Sequence, residues 1–236
     1  MRPKKSFSQN FLQDQAALSF IAKRLQPGES ALEIGGGTGR LTSRLLAMHP
    51  KMLHVVELED EAFERLSERF SGLPNVKLVH GDFLKLGPFP VDRVFGNIPY
   101  GISSDILFRV REWDFKSAVL MFQKEFAEKM AAKPGASNYG RLSVTSQLSF
   151  NVKLLKTVSR NCFFPIPKVD SAVVEIEKTG FAPTKAQDDM IRKMFSLKNK
   201  KIRNSLGKSI DKTEFASKRP RELSIEEIRR LFTLGL

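Results

Sequence analysis

Apolar positions along this chain change their period several times, and each change predicts an element. Leu18, Ile21, Ala22 and Leu25 recur at helical spacing and stop at Pro27-Gly28, so a helix precedes the first strand. Short apolar runs and helical stripes then alternate. Residues 31–34 read as a strand, 41–48 as a helix and 52–58 as a strand, with Phe63, Leu66 and Phe70 as the buried stripe of the next helix. Further strands are predicted at 76–79, 93–95 and 118–122, with helices over 104–110 and 125–132. Such alternation builds a mostly parallel, doubly wound α/β sheet. Segments 152–158 and 171–177 are both β-rich but joined by a proline-containing loop. They are expected to pair antiparallel at one edge, which makes the sheet mixed.

The composition shifts after Thr179-Gly180. Phe181-Ala182-Pro183 reads as a linker, and the remainder is helical in period, with Met190, Ile191, Met194 and Phe195 on one face and Ile225, Ile228, Leu231 and Phe232 on another. The expected organisation is a larger α/β domain over 1–180 and a small helical domain over 181–236.

With 236 residues, 41% of them hydrophobic, the chain can fill one sizeable core and a minor one. Thirty-nine Lys and Arg against 26 Asp and Glu leave a net charge of +13, which favours a polyanionic partner because each neutralised phosphate releases counterions. The excess is steepest in 181–236, where 14 basic side chains face 7 acidic ones. Cys162 is the only cysteine, so no intramolecular disulfide forms, and His49, His54 and His80 lack the spacing of a metal site. The start, Met1-Arg2-Pro3-Lys4-Lys5, leads into a polar stretch, and no apolar run approaches the roughly 20 residues of a bilayer span. A soluble, unprocessed, cytoplasmic protein is expected.

Glu33-Ile34-Gly35-Gly36-Gly37-Thr38-Gly39 follows a predicted strand and opens a helix. Glycines there let the backbone approach a nucleotide-like ligand. A dinucleotide fingerprint would need glycine where Arg40 stands, and no Gly-Lys-Ser/Thr follows to make a phosphate-binding loop of the Walker type. Glu57 ends the second strand of the series, 22 residues beyond Gly35, where a carboxylate can accept ribose hydroxyls. Asp82, after the third, stands where an adenine amino group would be read. Each taken singly is equally a helix cap or a loop charge. Together, at the ends of consecutive strands, they point to an adenosyl cofactor.

Asn97-Ile98-Pro99-Tyr100 ends the fourth strand. An exocyclic aromatic amine is a poor nucleophile, because its lone pair is delocalised into the ring, so a catalyst must hold both N–H groups with acceptors. Asn97 can supply a side-chain carbonyl. Pro99 has no N–H and restricts Ile98 to an extended conformation, which turns a backbone carbonyl into the site. Tyr100 can stack on a base. The plainer reading is a turn that closes a strand.

These residues resemble the RNA adenine N6-dimethyltransferases, a family comprising the KsgA-type small-subunit (16S) rRNA enzymes and the related Erm resistance methyltransferases. Ser8-Gln9-Asn10-Phe11-Leu12, the glycine loop, Asn97–Tyr100 and Phe163-Phe164-Pro165-Ile166-Pro167-Lys168-Val169-Asp170-Ser171 are similar to its four ordered motifs. The resemblance implies a Rossmann-like class I methyltransferase fold with a mixed seven-stranded sheet. It also implies S-adenosyl-L-methionine as cofactor, held by Asn10, Leu12, Gly35, Gly37, Glu57, Asp82 and Asn97, and no metal. It implies that the target adenine lies between Tyr100 and Phe163, with Asn97, Ile98 and Pro99 holding its N6. Asp170 and Ser171 are expected to fix the loop. Met121–Met130 and the stretch from Lys133 to Leu142 are similar to archaeal small-subunit enzymes, whereas Ile98 stands where KsgA-type enzymes often have Leu.

The resemblance implies N6,N6-dimethylation of two adjacent adenosines near the 3′ end of small-subunit rRNA, in a partly assembled subunit, by a monomeric enzyme. Lys198, Lys200, Lys201 and Arg203 are the expected rRNA-binding patch. Two other readings stay open from sequence: an Erm-like large-subunit enzyme, and a non-catalytic RNA-binding assembly factor.

Overall fold

The structure, a computed structural model, describes residues 10–207 and 210–234; the basic arm 1–5 and Ser8-Gln9 of the first motif lie outside them. The two-residue strand β1 (Phe11–Leu12) leads into α1 (Gln15–Ala22), which starts where the Asp14 carboxylate accepts the Ala17 N–H at 2.7 Å. Four strands and their helices follow: β2 (Ser30–Ile34), α2 (Arg40–Leu46), β3 (Met52–Glu57), α3 (Asp60–Phe70), β4 (Val76–His80), β5 (Arg93–Asn97) and α4 (Ser103–Val110). Each follows its apolar period; α3, for example, buries Ala62, Leu66 and Phe70 on one stripe.

Next come β6 (Ser117–Gln123), α5 (Lys124–Met130) and α6 (Arg141–Ser149), and then β7 (Phe150–Val158), β8 (Phe163–Phe164) and β9 (Ser171–Lys178). The sheet order is β4-β3-β2-β5-β6-β9-β7. Strands β2 to β6 are parallel and β9 runs antiparallel to β6, so the sheet is mixed and seven-stranded. The chain works outward from β2 through β3 to β4, then returns to β5 on the other side of β2. That reversal leaves a crevice at the carboxyl ends of β2 and β5, where open α/β sheets bind ligands.

The chain divides into two compact units. The first takes the described residues of Met1–Ala127 together with Lys153–Lys178; its core joins Leu18, Leu45, Leu53, Phe95, Val119 and Val173. The second takes the described residues of Glu128–Val152 and Thr179–Leu236 and includes α7 (Lys185–Ser196), α8 (Arg203–Leu206) and α9 (Ile225–Phe232). The sequence places 128–152 with the first domain, and the structure differs. Val144 and Leu148 of α6 belong to one buried cluster with Ile191, Met194, Ile202, Phe215, Ile228 and Leu231. The Tyr139 hydroxyl donates to the Leu223 carbonyl at 2.8 Å inside that cluster. Helix α6 escapes a periodicity reading because its buried positions include Ser143, Thr145, Ser146 and Ser149 beside the two apolar ones.

Candidate active site

Local geometry at the end of β2 follows from the glycines. Gly37 adopts a φ of +52°, which disfavours side chains, and a Cβ on Gly36 would stand 2.6 Å from Val55 Cγ1 and 2.8 Å from Leu66 Cδ1. The loop therefore lies tight against β3 and α3. Glu57 locks it from the next strand: one carboxylate oxygen accepts the Gly37 N–H at 2.7 Å, and the other accepts those of Leu58 and Glu59 at 2.8 and 2.9 Å. Both elements border an open cleft.

Glu33, in the middle of β2, also lines this cleft yet is only 1% exposed. Its carboxyl accepts the Thr42 hydroxyl at 2.6 Å. Burial pushes its pKa up to about 8, with neighbouring Glu57 adding to the rise and the Thr42 hydrogen bond opposing it. Glu33 is not among the ligand residues expected from sequence. The signal that could find it is a carboxylate within a strand whose other central positions, Ala31, Leu32 and Ile34, are all apolar and buried.

Across the crevice β5 ends at Asn97, whose side-chain amide nitrogen donates to the Asn10 main-chain carbonyl at 2.9 Å. A carbonyl only accepts, so the amide orientation is fixed, and Oδ1 has no donor among the described residues. The Ile98 N–H is used by the Met121 carbonyl at 3.0 Å. The Pro99 carbonyl accepts from Ile102 N–H and the Ser103 hydroxyl. Among the described residues the Ile98 carbonyl has no donor, and Ile98 lines the cleft. Tyr100 lines the cleft, and its hydroxyl shares a 2.8 Å hydrogen bond with that of fully buried Ser171. Burial raises the Tyr100 phenol above its ordinary pKa, against the Ser171 bond and with Asp170 nearby, so it stays neutral at physiological pH.

The structure thus brings Asn10, Leu12, Gly35, Gly37, Glu57, Asn97, Ile98, Pro99 and Tyr100 to one cleft, together with Phe11, Thr38 and Arg40, which sequence alone does not single out as ligand contacts. Two expected residues are not among those that line the cleft. Asp82 uses one oxygen to accept the Leu84 N–H at 2.9 Å, as a turn cap, and does not line the cleft. Phe163 is 3% exposed and joins the core with Leu12 and Val173. The cause is register: β1 and β8 pair antiparallel with Leu12 opposite Phe163 and Phe11 opposite Phe164. Paired residues share a face and successive ones alternate. Leu12 and Phe163 therefore turn inward together, and the exposed aromatic is Phe164, at 61%. Phe163 thus shares the face of cleft-lining Leu12 without itself being among the residues that line the cleft.

In the second unit Lys198, Lys200, Lys201 and Arg203 are all exposed, around buried Ile202, and none forms a salt bridge among the described residues. No helix of the described residues is long and apolar enough to cross a membrane.

A family model described as ribosomal RNA adenine dimethylase matches residues 1–228. A ribosomal RNA small subunit methyltransferase A from Thermotoga neapolitana is 37% identical over 240 residues, covering 99% of this chain and 92% of that protein. Among solved structures, a dimethyladenosine transferase from Plasmodium falciparum superposes with a TM-score of 0.85 at 28% identity, covering 96% of this chain and 98% of that one. The 23S rRNA methyltransferase ErmE superposes at 0.73 with 29% identity, covering 95% and 99%.

Proposed function

This chain belongs to the ribosomal RNA adenine dimethylase family and is an S-adenosylmethionine-dependent rRNA adenine dimethyltransferase; from that premise we propose that its substrate is small-subunit rRNA, modified at two adjacent adenosines near the 3′ end. The observation that carries the chemistry is the pair of acceptors at the end of β5, Asn97 Oδ1 and the Ile98 carbonyl, beside a cleft lined by two carboxyl groups. The small-subunit target rests on the family relative that bears that name.

The residues present fit the cofactor. The glycine loop has open space at Gly35, and Glu57 is an immobilised carboxylate that can accept ribose hydroxyls and suits a ligand carrying positive charge. Bound there, S-adenosylmethionine supplies a methyl group already activated by its sulfonium. Asn97 Oδ1 and the Ile98 carbonyl accept hydrogen bonds from the two N6–H groups of the adenine, and from the one that remains at the second transfer, and aim its nitrogen lone pair at the cleft. Tyr100, held through Ser171, stacks on the base once it has left its helix. No general base is needed, because the proton of the methylated amine departs to solvent. Asp82 is proposed to read the cofactor's adenine from the turn after β4, through the oxygen not used by Leu84, which the Lys85 ammonium faces at 3.9 Å. The enzyme is proposed to act as a monomer on a partly assembled small subunit, with Lys198, Lys200, Lys201 and Arg203 on rRNA phosphates.

The test is methyl transfer from labelled S-adenosylmethionine to small and large subunits that lack the modification, followed by nucleoside analysis. N6,N6-dimethyladenosine confined to the small subunit is expected. Label confined to the large subunit would replace this reading with an ErmE-like one, and tight subunit binding without label would make the protein an assembly factor.

A further inference from the structure

Three of the exposed large hydrophobic side chains sit within six residues of one another: Phe164 at 61%, Ile166 at 62% and Val169 at 44%. Isolated exposed apolar residues need no explanation, but a contiguous set marks a contact surface. The segment that carries them is held rigid. Pro165 and Pro167 fix two of its φ angles, and Pro167 is buried. At its start the Cys162 carbonyl accepts the Gln13 N–H at 2.7 Å. At its end the Asp170 carboxylate accepts the Arg160 N–H and the Asp170 carbonyl accepts the Lys124 N–H, both at 2.9 Å, while Ser171 holds Tyr100.

Its surroundings favour a nucleic acid over a protein. Exposed Lys168 and Arg160 flank the apolar side chains, and the Arg160 guanidinium donates to the Lys168 carbonyl. Lys168 forms no salt bridge among the described residues. Aromatic and aliphatic faces interleaved with cations are what unstacked bases and their phosphates take. The surface is also continuous with the cleft. Phe164 lies opposite Phe11 in the β1–β8 ladder, and the Phe11 ring reaches the cleft loop, 3.2 Å from where a Gly37 Cβ would stand.

We propose that Phe164, Ile166 and Val169 form a stacking ridge for the nucleotides that adjoin the target adenosine, filling the gap it leaves and holding the strand open. The ridge is separate from the Tyr100 contact to the target base, and it rests on the reading of the protein as an rRNA methyltransferase.

The experiment uses the full chain and purified small subunits lacking dimethyladenosine, with wild-type methylation measured first. No wild-type methylation of either subunit would sink the functional reading and the ridge with it. Given wild-type activity, Phe164→Ala should raise KM for the subunit on the order of 10-fold, with a smaller change in kcat and unaltered S-adenosylmethionine affinity by calorimetry. Phe164→Trp should restore KM, whereas Phe164→Leu, apolar without a π face, should not. Ultraviolet cross-linking of the wild-type enzyme should attach a nucleotide from beside the modified adenosines to peptide 161–169. An unchanged KM in Phe164→Ala, full activity in Phe164→Leu, or cross-links from this peptide to ribosomal protein alone would overturn the ridge.

Discussion

Asn97 acts through an orientation imposed by a residue 87 positions away: the Asn10 carbonyl takes its amide nitrogen, and the oxygen is left for the substrate. Asn97→Ala should lower the single-turnover methylation rate by roughly 100- to 1,000-fold, the usual effect of losing one preorganised polar group, with cofactor binding largely kept on titration calorimetry. Asn97→Asp is the sharper variant. It keeps an acceptor but cannot donate to Asn10, so it should also be severely impaired. Glu33 makes a different prediction. Its folded pKa of about 8 lies above the ordinary 4.5, so the folded state retains a proton that the unfolded state releases. The stability this contributes is complete below pH 4.5 and lost as pH rises through 8. Urea unfolding of the cofactor-free protein should therefore weaken across that window by up to about 1.4 kcal/mol per pH unit, and Glu33→Gln should flatten the slope. A slope unchanged by Glu33→Gln would remove Glu33 as its source. Residues of this kind differ in legibility. Glu57 and Asn97 can be read because they end strands whose order is itself readable. The placing of Phe163 and Phe164 depends on a two-residue ladder between distant segments, and that of Asn10 on one hydrogen bond to Asn97, neither of which leaves a period to detect.

At the scale of elements, parallel strands and amphipathic helices announce themselves by period, and those in the first unit fall close to where the sequence puts them. The connection after β2 is set by close approach. Gly36→Ala would press a methyl group into Val55 and Leu66, and overpacking of this sort costs about 1–3 kcal/mol. Thermal unfolding should register that loss, and cofactor affinity should fall with it because the same loop lines the cleft. Helix α6 is the contrary case. Two of its buried polar side chains bond within their own unit, Ser143 to the Lys129 carbonyl at 2.6 Å and Thr145 to the Arg141 carbonyl at 3.0 Å, whereas the hydroxyls of Ser146 and Ser149 have no partner among the described residues. A polar residue satisfied in this way is buried at little cost but reads as surface in a sequence.

For the whole molecule, the net charge of +13 makes association with a polyanion strongly dependent on salt. Reversing charge at Lys198, Lys200, Lys201 and Arg203 should weaken binding to small subunits. It should also reduce the slope of log affinity against log salt by about one for each phosphate that is no longer neutralised. An unchanged slope would take this patch out of the footprint. The second unit yields a stability test as well. A chain ending at Gly180 would keep α6 but lose Ile191, Met194, Ile228 and Leu231, exposing Val144 and Leu148, which are now fully buried. Such a fragment should bind a hydrophobic dye and precipitate, whereas the full chain should not.

That interleaving, with one unit drawing on 128–152 as well as on everything after 178, also bears on how such a protein can diversify. A terminal module made of one continuous stretch can be exchanged between genes by a single crossover. Here one crossover near residue 180 would pair a new tail with the old α6, whose buried face was shaped by the previous tail. Change in this unit must therefore proceed by matched substitutions in two separate parts of the gene, or by two crossovers at once. The helical part is expected to descend together with its catalytic partner rather than to be traded for an unrelated one.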